Sequence, residues 1–316
     1  MYFNYEVEDM LENEQCLSGL KTIRDYIRYC LSKMMQQKVY FGHGHVSAID
    51  EARQLVLKAV HLPWDTDDLV LDGKLLESEI QQILAFMQRR IIQREPLPYI
   101  INEAWFMQMP FYVDQRVLIP RSPIAQLIEN QFSPFLSTEP VANILDLCAG
   151  SGCIGIACAY AFEEASVDLA DISADALAVA SINIEKHQLQ KQVTTIHSDL
   201  FAKIDKKYHI IVSNPPYVDK NDLSSMPKEY LHEPSLALGS GDDGLDLCRK
   251  MLGQACDYLT DDGLLVVEVG NSEKHLMEQY PQVPFIWVDL SLGGNGVFVI
   301  SADDLKPHRG VFISNC

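Results

Sequence analysis

The residues best suited to chemistry in this sequence are those at 214–217, which directly follow the apolar run 208–213. The side-chain oxygen of Asn214 accepts hydrogen bonds, and Pro215 has a backbone carbonyl but no N–H to donate. Two neighbouring acceptors aimed at one point suit an –NH₂ group, which has two donors to satisfy. Tyr217 adds a flat apolar face for a planar group. The pattern predicts a site that holds a planar amide or an exocyclic amine for chemistry on its nitrogen, and a plain proline-rich turn is the alternative.

A second motif lies upstream of this one. The sequence predicts a short buried strand over residues 143–148 and an apolar helix over residues 153–162, with a turn of small residues at 149–152 between them. Glycine lets a backbone approach a ligand closely, and the N-terminus of a helix favours negative charge. With Gly155 included, the glycines have the spacing of a dinucleotide-binding loop, so the turn alone leaves the identity of a nucleotide cofactor open.

Acidic residues indicate which nucleotide cofactor the turn binds. The next predicted strand ends at Asp171, a place where an acid commonly accepts hydrogen bonds from ribose hydroxyls. Together with Asp146 before the glycine turn and the motif that begins at Asn214, this layout is typical of S-adenosylmethionine-dependent methyltransferases rather than of nicotinamide-dependent enzymes. In such a layout Asp199 meets the adenine amine and Leu200 packs on the adenine ring.

The predicted cofactor is therefore S-adenosyl-L-methionine. No metal site is predicted, because the pair His43 and His45 has no evident third ligand. The residues predicted to bind the cofactor are Asp146, Cys148, Ala149, Gly150, Ser151, Gly152, Asp171, Ile172, Asp199, Leu200 and Asn214. The predicted catalytic residues are Asn214, Pro215, Pro216 and Tyr217.

A sheet must position these residues. Strand and helix patterns alternate from residue 124 onward, which predicts an α/β fold: a class I methyltransferase (Rossmann-like) sheet with a terminal antiparallel hairpin, preceded by a small N-terminal helical domain. The predicted domains are a helical substrate-recognition domain at 1–95, a β-hairpin linker at 96–123 and a methyltransferase domain at 124–316. Helices are predicted at 19–36, 48–60, 75–93, 153–162 and 244–259, and strands at 143–148, 166–170, 193–197, 208–213, 264–269, 285–290 and 297–301.

Several charged or polar features have both a structural and a functional interpretation. The polar segment 218–243 is predicted to be a structureless lid or substrate-binding insertion, since loops of that length are usually functional. The basic cluster of Arg89, Arg90 and Arg94 is interpreted as a solvated face or as charge at the C-terminus of a helix rather than as a nucleic-acid site. Arg121 is either a substrate contact or one partner of an ion pair that anchors a loop. Glu268 ends an apolar strand and is a candidate for the site, because ligands collect at the carboxyl ends of strands.

The composition favours a cytoplasmic enzyme with a basic partner. The 316 residues allow one large domain and one small one, with no apolar run of membrane-spanning length and no signal-peptide pattern. A net charge of −19 repels nucleic acid phosphates and favours a basic macromolecule, although solubility alone also explains it. The eight cysteines are scattered, which predicts buried reduced thiols rather than disulfides or a zinc site.

The sequence resembles the glutamine-N5 protein methyltransferases, the HemK/PrmC-like family, over nearly its whole length. The shared motifs are DLCAGSGC at 146–153, Asp171, Asp199 and NPPY at 214–217. The motifs YFGHG at 40–44, AWF at 104–106, FYVDQRVLIPRSPI at 111–124 and HEPSLAL at 232–238 are similar to the branch that acts on the third protein of the large ribosomal subunit. A mild departure is Cys148 and Ala149, where relatives often carry Gly or Cys followed by Thr.

The resemblance implies methyl transfer from S-adenosylmethionine to the side-chain amide nitrogen, N5, of a glutamine. The implied partner is the basic ribosomal protein, free or in an assembling particle, with neither a membrane nor a nucleic acid substrate. One alternative is the sister branch that methylates peptide chain release factors. A second is an adenine-N6 nucleic acid methyltransferase, which also uses an NPPY motif, and a third is a non-catalytic assembly factor that keeps the fold.

Overall fold

The structure, a computed structural model, describes residues 17, 19–44, 47–136, 140–290 and 293–313. Packing divides it into two units. The helical unit comprises the described residues up to Glu103 together with Pro227–His232, and the sheet unit comprises Ala104–Met226 and the described residues from Glu233 onward. By packing, the helical unit extends past residue 95, because Leu97 and Ile100 are buried in its core. His45 of the predicted histidine pair lies outside the described residues.

The helical unit confirms the three long helices that the sequence predicts. The first, α1 (Ile23–Gln36), begins with a capping box: the Thr22 hydroxyl accepts from the Asp25 N–H at 3.1 Å, and the Asp25 carboxylate accepts from the Thr22 N–H at 2.9 Å. The last of the three ends in a π-helical turn at Gln88–Ile92. The remaining helices are α2 Ala48–Ala59, α3 Asp68–Leu71, α4 Glu77–Met87 and α5 Leu97–Ile101.

The interpretation of the basic cluster after α4 as a solvated face is wrong for Arg90. This side chain is only 1% exposed; it donates to the Glu51 carboxylate and to the Tyr40 carbonyl, the latter at 2.7 Å. Arg90 Nη1 also lies 3.7 Å from the Glu229 carboxylate, and Arg94 Nη1 lies 3.3 Å from it. Sequence periodicity did not show this, because the acids that neutralise Arg90 come from distant parts of the chain.

The sheet unit confirms the predicted α/β class. Its main sheet has seven strands in the order β5-β4-β3-β6-β7-β9-β8. The strands β3 to β7 are parallel, and β9 runs antiparallel to both β7 and β8, as expected for a terminal antiparallel hairpin. A separate antiparallel pair forms the predicted hairpin. The strands are β1 Ala104–Phe106, β2 Met109–Phe111, β3 Asn143–Leu147, β4 Ser166–Asp171, β5 Val193–His197, β6 Tyr208–Ser213, β7 Leu259–Glu268, β8 Ile286–Trp287 and β9 Val297–Ser301.

Helices cover both faces of this sheet, so alternate residues of each strand enter one of two cores. In β3, for example, Ile144 belongs to one buried cluster, whereas Leu145 and Leu147 belong to the other. This explains why the strands read as nearly continuous apolar runs in the sequence. The helices are α6 Ala125–Glu129, α7 Cys153–Ala161, α8 Ala174–Lys186, α9 Lys220–Ser225, α10 Asp246–Gln254, α11 Glu273–Gln279, α12 Ala302–Leu305 and α13 Arg309–Ile313.

The register of the parallel strands brings the predicted motifs to one edge of the sheet. Leu147 at the end of β3 pairs with Ser213 at the end of β6, and Asp171 at the end of β4 pairs with His197 at the end of β5. The strand order reverses at β3, which has β4 on one side and β6 on the other. Ligands of open α/β sheets bind at such a switch point, beyond the carboxyl ends of the strands.

Three predicted elements differ from the structure. The segment 218–243 is not structureless: it contains α9, 3₁₀ turns and a bridge between Val218 and Gly239, and part of it packs in the helical unit. The strand predicted at 264–269 begins earlier, at Leu259. The strand predicted at 285–290 is only two residues long, because just Ile286 and Trp287 pair with β9. Among the described residues, no helix is long and apolar enough to cross a membrane.

Candidate active site

A cavity of about 350 Å³ lies in the sheet unit at the carboxyl ends of β3, β4, β5 and β6. Most of the predicted site residues line it. Those on the cavity wall are Cys148, Ala149, Gly150, Ser151, Asp171, Ile172, Asp199, Leu200, Asn214 and Pro216. Asp146, Gly152, Pro215 and Tyr217 do not line it.

The turn after β3 is shaped for a close approach to a ligand. Cys148 and Gly150 have positive φ angles of 59° and 54°, so the chain turns sharply at the end of the strand. A Cβ on Gly150 would meet no atom within 4 Å, which leaves open space beside the backbone on the cavity wall. A Cβ on Gly155, in contrast, would lie 2.1 Å from the Leu169 side chain. The third glycine of the motif therefore serves the packing of α7 on the sheet, and the first serves the cavity.

Asp171 connects the glycine turn to the end of β4. Its two carboxylate oxygens accept the Gly150 N–H at 2.9 Å and the Ser173 N–H at 2.8 Å. Burial raises the pKa of Asp171, and the N–H groups of Ser173 and Gly150 act in the opposite direction. Each carboxylate oxygen has a second lone pair, so the group can also accept a hydrogen bond from a ligand in the cavity.

Asp146 lies beneath the turn rather than on the cavity wall. It is 1% exposed, and its Oδ2 accepts the Gly155 N–H at 2.8 Å, whereas its Oδ1 has no hydrogen-bond partner among the described residues. Burial raises the pKa of this carboxyl to about 8. The assignment of Asp146 as a cofactor ligand stays a prediction, and its observed contact is with the first turn of α7.

Asn214 lies on the cavity wall and has an unused hydrogen-bond acceptor in its side chain. Its Oδ1 is buried and has no hydrogen-bond partner in the described part of the chain. A buried acceptor without a partner costs about 1–3 kcal/mol. Such a cost is commonly retained where a ligand supplies the missing donor. The preceding strand is held in place by the Ser213 hydroxyl, which donates to the Leu147 carbonyl at 2.7 Å.

Hydrogen bonds with residues outside the cavity wall fix the end of the NPPY motif. Pro215 is buried, and the Tyr217 hydroxyl donates to Glu268 Oε1 at 2.8 Å. Ser272 Oγ donates to the Tyr217 carbonyl at 2.9 Å. The stacking of Tyr217 on a substrate amide stays a prediction. The sequence did not predict its hydrogen bond with Glu268.

Two residues beside the cavity, Arg121 and Asn183, have hydrogen-bond partners that the sequence did not predict. Arg121 binds both oxygens of Glu233, at 2.6 and 2.8 Å, which supports the loop-anchoring interpretation. Asn183, fully buried on α8, donates to the Ser151 carbonyl at 2.9 Å and exchanges two hydrogen bonds with the Tyr112 backbone. Sequence reasoning missed both Asn183 and the helix that carries it; the only signal was a polar residue within a mostly apolar stretch.

The residues on the wall fit S-adenosylmethionine. The carboxylates of Asp171 and Asp199 can accept hydrogen bonds from hydroxyl and amino groups, Leu200 is an apolar surface, and Gly150 leaves room beside the backbone. The unpartnered oxygen of Asn214 can accept from an amino or amide group. These hydrogen-bond acceptors and this apolar surface match the ribose and the adenine of the cofactor, together with a nitrogen that accepts the methyl group.

The sequence of this chain is similar to those of known methyltransferases. The family model "Methyltransferase small domain" matches residues 130–242. A ribosomal protein uL3 glutamine methyltransferase from Francisella tularensis is 49% identical over 99% of this chain and 98% of its own length. One from Neisseria gonorrhoeae is 44% identical over 92% of this chain and 98% of its own length.

Among solved structures, the 16S rRNA N2 G1207 methyltransferase of T. thermophilus, in complex with AdoMet and guanosine, aligns with 63% of this chain and 49% of its own, at 18% identity and a TM-score of 0.43. The two curated relatives cover nearly the whole chain at high identity, and they confirm the resemblance that the motifs indicated. The chain belongs to the family of ribosomal protein uL3 glutamine methyltransferases.

Proposed function

We propose that this protein transfers the methyl group of S-adenosylmethionine to the side-chain amide nitrogen of a glutamine in ribosomal protein uL3. The observation that carries the proposal is the buried Asn214 Oδ1, an acceptor without a partner on the cavity wall. The relatives' name states both the residue type and the substrate. An amide NH₂ group is a donor that matches this acceptor.

In the proposed mechanism, Asn214 and Pro215 orient the substrate amide. An amide nitrogen is a poor nucleophile because its lone pair is delocalised into the carbonyl. The Asn214 side-chain oxygen and the Pro215 carbonyl accept the two N–H bonds, which fixes the direction of the nitrogen and contributes through orientation. Because positive charge develops on these N–H groups during transfer, the two acceptors also stabilise the transition state. The amide nitrogen then releases one proton to water.

The cavity wall provides the cofactor site in this proposal. S-adenosylmethionine, when bound, would supply an electrophilic methyl group, with its S–CH₃ bond broken and S-adenosylhomocysteine as the leaving group. Asp171 would accept hydrogen bonds from the ribose hydroxyls, Asp199 would accept from the adenine amine and Leu200 would pack on the ring. The turn at 149–152 approaches the cofactor through its backbone, with Gly150 giving the space. Ile172, half exposed beside Asp171, adds apolar surface.

The substrate is proposed to be recognised as a basic protein, free or within an assembling particle. The net charge of −19 favours such a partner and disfavours a nucleic acid. The helical unit is proposed to take part in substrate recognition, and the cytoplasmic location expected from the sequence stays a prediction.

Labelled S-adenosylmethionine tests the function directly. The full chain is incubated in parallel with uL3, with a peptide chain release factor and with duplex nucleic acid, and the label is mapped by mass spectrometry. We expect label on one glutamine of uL3 and none on the other two substrates. Label on the release factor alone would move the protein to the sister branch, and label on nucleic acid alone would reject a protein substrate.

A further inference from the structure

The structure assigns Glu268 the role of a positioning residue for the NPPY motif: its carboxylate joins Tyr217 to Ser122 and thereby holds the amide-orienting end of β6 against the cavity wall. This inference rests on the proposed function, because its effect is read through methyl transfer to the amide.

The contacts that carry the inference involve both oxygens of one buried carboxylate. Tyr217 donates its hydroxyl to Glu268 Oε1 at 2.8 Å, and Ser122 donates its hydroxyl to Glu268 Oε2 at 2.6 Å. Glu268 is 4% exposed and does not line the cavity, whereas Ser122 does. Glu268 therefore acts through its neighbours and not by touching a ligand.

Close backbone packing makes the Tyr217 ring sensitive to this carboxylate. A Cβ on Gly270, whose φ is +47°, would lie 2.4 Å from Tyr217 Cε2. A Cβ on Gly244 would lie 2.1 Å from the Tyr217 carbonyl oxygen. Two glycines thus leave just enough room for the residue, and the Glu268 carboxylate sets the direction of its hydroxyl. Asn214 and Pro215 lie three and two residues before Tyr217, so a shift of the tyrosine is transmitted directly to the two proposed acceptors.

The sheet unit contains a second tyrosine–carboxylate pair of similar geometry, which serves as a control. Tyr208 at the start of β6 donates its hydroxyl to Asp168 Oδ2 at 2.7 Å, and both residues are buried. Asp168 also pairs with Lys206 at 2.8 Å. Neither Tyr208 nor Asp168 lines the cavity. Loss of this hydroxyl removes a comparable hydrogen bond at the first residue of β6, whereas Tyr217 lies beyond the last residue of that strand.

The test compares Tyr217→Phe, Glu268→Ala and Glu268→Gln with Tyr208→Phe, all in the full chain. The measurements are kcat and KM for uL3 methylation, the Kd of S-adenosylhomocysteine by calorimetry, and the melting temperature. We expect kcat to fall about tenfold to a hundredfold in Glu268→Ala and about tenfold in Tyr217→Phe, because losses from misplaced orienting groups are of this order. The Kd should stay within about twofold in each variant.

The controls separate positioning from stability. Tyr208→Phe should lower the melting temperature about as much as Tyr217→Phe and leave kcat within about twofold, since each loses one hydrogen bond. Glu268→Gln should recover most of kcat, because its amide oxygen can still accept the Tyr217 hydroxyl and the Ser122 hydroxyl can reverse its role.

Three outcomes overturn the inference: an unchanged kcat in Tyr217→Phe, an equal loss of kcat in Tyr208→Phe, or a matching loss of cofactor affinity in the Glu268 variants. If Glu268→Ala does not fold, Tyr217→Phe, which removes one oxygen atom, decides alone. Transfer by the wild-type protein to uL3 is measured first. Its absence would reject the proposed function, whereas transfer that is indifferent to Glu268 and Tyr217 rejects only this inference.

Discussion

Two buried acidic side chains, Glu229 in the helical unit and Asp146 in the sheet unit, have opposite surroundings. In the helical unit, Glu51 and Glu229 face the guanidinium of Arg90. Burial opposes ionisation of Glu229, but the Tyr40 N–H and the nearby arginines outweigh burial and lower its pKa. Around the cavity of the sheet unit, Asp146 has a single backbone N–H and an oxygen without a partner among the described residues.

The difference distinguishes buried carboxyl groups that stabilise the fold from those beside the functional site. A buried carboxylate with a cation partner is stabilised in its ionised form, whereas one with only N–H or hydroxyl partners is destabilised by burial. The pKa of Glu268 is raised in the same way, although the Ser122 and Tyr217 hydroxyls partly offset the effect of burial. Polar groups that are not fully satisfied are typical of functional sites. At the carboxyl ends of the parallel strands, Asp146 and Asn214 each carry an oxygen of this kind.

The comparison predicts the largest effect on stability for Glu51→Ala. This change leaves the fully buried Arg90 without its closest anion, and breaking a buried pair by removal of one partner costs about 3–5 kcal/mol. We expect the free energy of unfolding to fall by about this amount in denaturant titrations.

Asp72→Ala is the matched control for this loss. Asp72 pairs with Arg24 at 2.8 Å, but both side chains are exposed, so solvent screens the pair and the expected loss of stability is much smaller. Equal losses in the two variants would show that burial does not distinguish these ion pairs. The buried ion pair of the helical unit would then have no special role in stability.

Asn214→Ala should have the largest effect on catalysis. It removes the unpartnered acceptor from the cavity wall, and removal of one preorganised hydrogen-bonding group from a transition-state site commonly costs about 10²- to 10³-fold in kcat. Because a buried oxygen without a partner is also removed, the melting temperature should not fall. Steady-state kinetics with uL3 and calorimetric binding of S-adenosylhomocysteine measure the two effects.

Asn271→Ala is the control for Asn214→Ala. Asn271 is exposed, and its amide donates to Asp222 at 3.1 Å. Its kcat should equal that of the wild type. If cofactor affinity in Asn214→Ala drops as steeply as kcat, Asn214 binds the cofactor rather than orienting the substrate amide.

The sequence predicted the parts of the site that depend on short stretches of chain. Residues 214–217 follow a strand whose apolar run sets its length, so the position of Asn214 at the strand end follows from local pattern alone. The glycine turn after β3 is equally local, since Gly150 and Gly155 have separate roles at fixed spacing. Parallel strands then bring both motifs to one edge, because the sheet aligns their carboxyl ends.

Contacts between distant residues could not be predicted in this way. Glu229 lies in a polar segment whose composition suggested a lid, yet its carboxylate meets Arg94 of the helical unit. Asn183 is a polar residue within a mostly apolar stretch, and only the folded chain shows that it holds the Ser151 carbonyl. The sequence likewise did not identify the partner of Arg121, because Glu233 is 112 residues away along the chain.

The smallest predicted effect concerns Asp146 and depends on pH. Its pKa is raised to about 8 by burial, so the folded state binds this proton more tightly than the unfolded chain does, where a carboxyl titrates near pH 4. The stability that the protonated form contributes is therefore complete below about pH 4 and is lost as the pH rises through about 8. Asp146→Asn removes this titration, so its advantage in unfolding free energy over the wild type should grow between pH 5 and 8.

We expect that advantage to grow by on the order of a few kcal/mol over this range, since each pH unit between the two pKa values is worth about 1.4 kcal/mol. Asp168→Asn provides the contrast, because it removes a carboxylate that is paired with Lys206 and should lower stability over the same range. A constant difference between Asp146→Asn and the wild type from pH 5 to 8 would contradict the prediction. The Kd of S-adenosylhomocysteine for Asp146→Asn then decides the remaining question about this residue. An unchanged Kd means that Asp146 acts only on the Gly155 N–H at the start of α7, and a large loss means that it reaches the cofactor.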